Sequence, residues 1–161
     1  MEQVADALIA ELNALSEETE FIDALDGRLP TDVKFDDPGV VMTSEYPYIY
    51  VTPVSDVPLL ETTGLSGYDV RQLTLQIGVV VNAADYFNPA VSELPASREL
   101  VRAATLVRKR LRRLSKRTLD VPGVRSLDVQ QTDYVPDLRE DVFVRVAVTT
   151  IIVERQYQHE A

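Results

Sequence analysis

Side chains able to do chemistry are few in this sequence of 161 residues. His159 is the single histidine and stands third from the end, where a mobile chain does not hold the fixed geometry that proton transfer needs. Asp36 and Asp37, and likewise Glu17, Glu18 and Glu20, crowd carboxylates together. Adjacent acids in polar stretches are ordinarily solvated, and no loop carries the series of oxygen ligands that a hard cation requires. Cysteine is absent, which excludes disulfides, thiolate metal ligands and a thiol nucleophile, and suits a reducing compartment. Gly64 and Gly67 lack the lysine and the helix that follow in a phosphate-binding loop. The residue types therefore point to no catalysis, no cofactor and no metal.

Charge carries a stronger signal. The net charge is −10, yet Arg98, Arg102, Arg108, Lys109, Arg110, Arg112, Arg113, Lys116 and Arg117 are nine of the sixteen basic residues and have only Glu99 among them. That stretch holds +8 and the rest of the chain −18. Nucleic-acid binding, a solvated face and contact with another subunit are the three readings of such a run. An acidic whole, basic residues spread around the helix and no aromatic residue between Arg98 and Arg117 weigh against nucleic acid and favour a subunit contact. Tyr48, Tyr50, Tyr86 and Phe87 either make an aromatic binding site or pack a strand face and plug a loop. Leu59, Leu60 and Leu65 either fold back over the core or face a partner. The candidate interface set is Leu59, Leu60, Leu65, Tyr86, Phe87, Arg108, Arg112 and Arg113.

Positioning these residues falls to a core that 45% hydrophobic residues can build, expected as one domain over residues 1–161. No basic region precedes a long apolar run and nowhere do about 18 apolar residues follow one another, so neither a signal peptide nor a membrane span is expected. Val4, Leu8, Leu12 and Leu15 predict a helix over residues 2–15. A short strand fits within 31–35. Residues 46–54 alternate Tyr46, Tyr48 and Tyr50 against Ile49 and Val51 between two prolines, as an edge strand does. A loop is expected over 55–67. Residues 69–82 set Leu73, Leu75, Ile77, Val79 and Val81 on a core face and leave the other face wet, pairing antiparallel with 46–54.

After a loop from 83 to 95, Leu100, Ala104, Val107, Leu111 and Leu114 predict a helix over 96–115, stopped by Pro122 and Gly123. A weak strand over 124–132 and a connection over 133–141 lead to the strand 142–153, apolar on both sides and so covered on both faces. At about 3.3 Å per residue that strand spans roughly 40 Å, against a radius of gyration near 15 Å for a domain of this length. It outruns its own core, and its apolar side chains then need a second copy of the chain to cover them. The polar tail, 155–161, is expected to fray. The expected class is α+β, αββαββ, a mostly antiparallel sheet with two helices packed on one face and long overhanging strands.

The whole arrangement resembles the tail terminator family of long-tailed bacteriophages. The likeness lies in a first helix (VADALIAELNAL), a Pro-flanked strand (YPYIYVTP), a long strand (LTLQIGVVVNA), a helix rich in Leu and Arg (LVRAATLVRKRLRRL) and a final strand (VFVRVAVTTIIVERQY). The resemblance implies a structural protein without enzymatic activity that forms a ring, commonly a hexamer, of its own copies. Such a ring stacks on the last ring of tail tube protein, ends polymerisation and offers its other surface to the head-tail connector or stopper protein. It implies a place in the virion tail at the head-proximal end, and in the host cytoplasm during assembly. Genomic DNA passes through such a ring, and a strongly basic bore would retain it, so the arginine-rich helix is expected to face outward or toward a neighbour. A head-closure or connector-adaptor protein of the neck shares the size, acidity and ring habit. A small-ligand-binding α+β domain is the more distant alternative.

Overall fold

The computed structural model describes residues 1–59, 68–87, 95–117 and 119–158. The first helix, α1, spans Glu2–Ser16 and buries Val4, Ala5, Leu8, Leu12 and Leu15, the stripe that its periodicity predicts. A one-and-a-half-turn helix, α2 (Thr19–Ala24), follows and adds Phe21 to the same core. The chain leaves it through Asp26 and Gly27, both at positive φ. β1 (Lys34–Phe35) runs parallel to β2 (Tyr48–Pro58), and β2 pairs antiparallel with β3 (Tyr68–Asn82). A 3-10 turn over Ala83–Tyr86 is capped by the Asn82 side chain, which accepts from the Ala84 N–H at 3.1 Å. Helix α3 covers Ser97–Arg117. β4 (Val124–Arg139) and β5 (Val142–Gln158) close the chain as a hairpin, with β5 inserted beside β3. The sheet order is β1-β2-β3-β5-β4, so the α+β class and the mostly antiparallel sheet hold.

All three helices pack on one face. α1 lies toward β1 and β2, and α3 toward β4 and β5. Between them and the sheet sit Leu73, Leu75, Ile77, Val79 and Val81 of β3, with Ile49, Val51, Ala147, Ile151 and Val153 beside them. Burying each such aliphatic side chain is worth about 1.5–3 kcal/mol, before the opposing conformational entropy.

Several boundaries differ from those expected. Residues 124–139 form one strand of 16 residues, not a weak strand and a connection, so the turn shrinks to Glu140 and Asp141, both at positive φ. Pro136 and the acids obscure the alternation in sequence, but an edge strand tolerates both. β2 likewise continues to Pro58, carrying residues 55–58 out of the expected loop after a register shift between Pro53 and Ser55. The tail does not fray before residue 158. Arg155 is buried, its Nε donates to the Pro122 carbonyl at 3.0 Å, its guanidinium reaches Gln3 and it stacks 4.7 Å over the Tyr157 ring.

The second face of β3 is wet only in part. Gly78, Val80 and Asn82 are buried there, because Tyr46, Tyr48 and Tyr50 lean across the sheet onto Val80, Val144 and Val146 and form a second, smaller core. The long strand is buried on its helix side at Ala147, Thr149, Ile151 and Val153, but its other side is buried only at Val144 and Val146 and half-buried at Val148, Thr150 and Ile152, and Phe143 at its start stands in solvent.

Candidate functional site

The β4–β5 hairpin is where the fold leaves surface unaccounted for. β5 has 17 residues, roughly 55 Å of chain, and the helices end their cover near Ala147. Beyond that point antiparallel pairing continues through Pro136 opposite Arg145 and Leu138 opposite Phe143. These residues share the helix side of the sheet, with no helix above them among the described residues. Tyr134 is 40% exposed, Leu138 56% and Phe143 66%. Between this tip and the start of α3 lies a groove of about 650 Å³, lined by Ala84, Phe87, Pro95, Pro136, Phe143 and Arg145 and almost wholly apolar. Arg145 Nε is buried without a hydrogen-bond partner among the described residues.

The other side of the tip is braced. Arg139, at the end of β4, places Nη2 3.0 Å from Asp37 Oδ2, Nη1 2.8 Å from Tyr48 Oη and 3.1 Å from the Gly39 carbonyl, and Nε 3.0 Å from Asp137 Oδ2. The Tyr48 hydroxyl donates in turn to Asp37 Oδ1 at 2.8 Å. Burial, and then that carboxylate, hold the Tyr48 phenol well above the usual tyrosine range. The guanidinium thus ties the end of β4 to the segment before β2, with β3 and β5 between them in the sheet. Arranged this way, the overhang is held on one face and left apolar on the other.

Of the expected interface residues, Phe87 lies in the groove and is 65% exposed. Tyr86 instead serves the fold: its hydroxyl donates to the Leu25 carbonyl at 3.2 Å, and the Arg28 guanidinium lies 5.1 Å over its ring. Arg108 bonds the Gln130 carbonyl at 3.0 Å and Thr132 Oγ1 at 2.9 Å, fastening α3 to β4. Arg112 and Arg113 are exposed. Leu59 is half-buried beside β2, its N–H donating to the Val70 carbonyl at 2.9 Å, while Leu60 and Leu65 lie outside the described residues, as does His159.

The basic residues do not simply encircle α3. Arg108 and Arg110 turn inward to partners, Arg110 reaching Glu11 at 3.1 Å and Glu18 at 2.6 Å. Arg98, Arg102, Lys109 and Arg112 recur at spacings of three, four and seven, and form one solvent-facing stripe. Neither acidic cluster forms a carboxylate pair: Asp37 belongs to Arg139 and Glu18 to Arg110.

Sequence reasoning missed Tyr134, Leu138 and the Arg139–Asp37 tie. Their one signal was the alternation of Tyr134, Pro136 and Leu138 against Val135, Asp137 and Arg139. No protein-family model matches this chain, and a comparison with curated proteins gives no match either.

Proposed function

We propose that this chain is a structural virion protein of the tail-terminator kind, whose copies close into a ring, a hexamer on the family resemblance, on the end of a phage tail tube. The ring ends tube growth and presents its far surface to the connector. The observation that supports a ring is the overhanging β4–β5 hairpin, apolar on its helix side at Tyr134, Leu138 and Phe143 beside an apolar groove. Seating that tip on the next copy is a head-to-tail contact, and such contacts close into rings when the rotation between copies allows it.

Magnitudes favour closure over a simple pair. Covering three half-exposed side chains gives about 1–1.5 kcal/mol each, whereas joining two molecules costs about 4–15 kcal/mol. One such contact is weak alone. A closed ring, or a tube end that templates it, shares the cost among many contacts. The tail assignment itself rests on the family resemblance.

Two measurements test the reading. Native mass spectrometry is expected to give closed oligomers, alone or on tube ends, and electron microscopy is expected to show shorter tail tubes when this protein is added to polymerising tube protein. Unchanged tube length together with binding to a portal-side connector would move the protein to the neck. A monomer that leaves tube growth untouched would end the proposal.

A further inference from the structure

The helix layer is polarised by charge across its width. Residues 1–26 hold eight acids, Glu2, Asp6, Glu11, Glu17, Glu18, Glu20, Asp23 and Asp26, and no lysine or arginine, while residues 98–117 hold a net +8. α1 packs toward β1 and β2 and α3 toward β4 and β5, so these two helices lie on opposite flanks, whereas α2, which carries Glu20 and Asp23, packs against α3 itself. Glu2, Asp6 and Glu17 are exposed along α1, and Arg102, Lys109 and Arg112 along α3.

We infer that the exposed basic stripe of α3 docks on the acidic α1 surface of the next copy, at Glu2, Asp6 and Glu17, making an ionic contact that sets the order of subunits in the ring. The inference rests on the ring reading and names the surfaces that meet in it. Three observations carry it. The exposed charges are opposite in sign, Glu2, Asp6 and Glu17 against Arg102, Lys109 and Arg112. They lie on opposite flanks, as a head-to-tail repeat requires and a two-fold dimer does not. The same pairing already joins these helices inside one subunit, where Arg110 of α3 bridges Glu11 and Glu18. Like charges at a reversed or slipped contact would repel, so the arrangement selects one polarity of assembly. It also directs the arginines toward a neighbour and away from passing DNA.

A charge-swap experiment on the full chain tests this. R102E/K109E and D6K/E17K, each checked for native circular dichroism, are expected to weaken self-association about tenfold or more. An equal mixture of the two is expected to recover the wild-type level. Raising salt is expected to weaken wild-type association as the charges become screened. Should a reversal variant fail to fold, R102Q/K109Q and the salt titration replace it. Association that ignores both reversals, a mixture no better than its components, indifference to salt, or a wild type that stays monomeric would each overturn the inference. So would duplex DNA binding that R102E/K109E abolishes while association is unchanged. Reversed variants that cap tubes as the wild type does would remove this interface and leave the tail reading standing. A mixture that assembles but never shortens tubes would do the opposite.

Discussion

Tyr48 shows how much of this protein's order is held by single groups. Its hydroxyl lies between Asp37 and Arg139, and Arg139 also holds Asp137 and the Gly39 carbonyl. Replacing Arg139 by Ala leaves a half-buried Asp37 without its counter-charge, and a loss of about 1–3 kcal/mol in urea unfolding is expected, discounted for partial exposure. Tyr46, Tyr48, Tyr50 and Tyr86 all have phenols raised above the ordinary value, in each case by burial first. The unfolded chain therefore releases its phenolic protons before the native one. Their contribution is complete below about pH 10 and is lost as pH rises from there toward the raised native values. Urea midpoints measured from about pH 9 to 11 should fall, and a flat profile would contradict the buried tyrosine cluster. Gly78 is the floor of that cluster: a Cβ there would lie 2.1 Å from Tyr50 ring atoms. Gly78→Ala is expected to cost about 1–3 kcal/mol, and far less when Tyr50 has already been replaced by Ala.

Among the elements, the β4–β5 hairpin has two jobs at its two ends. Near the chain terminus it is core, with Ile151, Val153 and Arg155 buried. Gly123 lets the α3–β4 turn pass against it: its φ is +84°, its carbonyl accepts from the Gln156 N–H at 2.8 Å, and a Cβ would fall 2.1 Å from the Gln156 carbonyl oxygen. Gly123→Ala is therefore expected to destabilise more than Gly78→Ala does, because backbone cannot move aside as a ring can. At the tip the balance reverses. Phe143→Ser and Leu138→Ser touch exposed side chains, so stability is expected to stay within about 0.5 kcal/mol of wild type. The same changes are expected to reduce the oligomer seen by native mass. Wild-type assembly in the Phe143→Ser, Leu138→Ser double variant would remove the hairpin from the interface.

For the whole molecule, α1 and α3 lie toward opposite flanks of the sheet, and charge of opposite sign follows them. Much of that was open to reading in the sequence. Val4, Leu8, Leu12 and Leu15, the alternation of Leu73 to Val81, and the stripe from Leu100 to Leu111 each fix an element and its buried side, because local periodicity alone decides which face of a helix or strand is apolar. The separation of basic from acidic segments was equally plain. What the chain order could not show was partnership across distance. Arg155 joins the core through Gln3 and Pro122, 152 and 33 residues away, and Arg139 finds Asp37 across 102. In sequence these were a polar tail and a polar connection, since a charged side chain carries no mark of the group that will neutralise it. The extension of β4 to Arg139 was decided the same way, by a neighbouring strand that satisfies its backbone. The sequence determined the two long helices, the faces they and β3 turn to the main core, and the charge polarity. Only the tertiary structure decided which polar residues are buried with partners and which apolar ones, Leu138 and Phe143, are left outside, because burial depends on what the fold brings overhead.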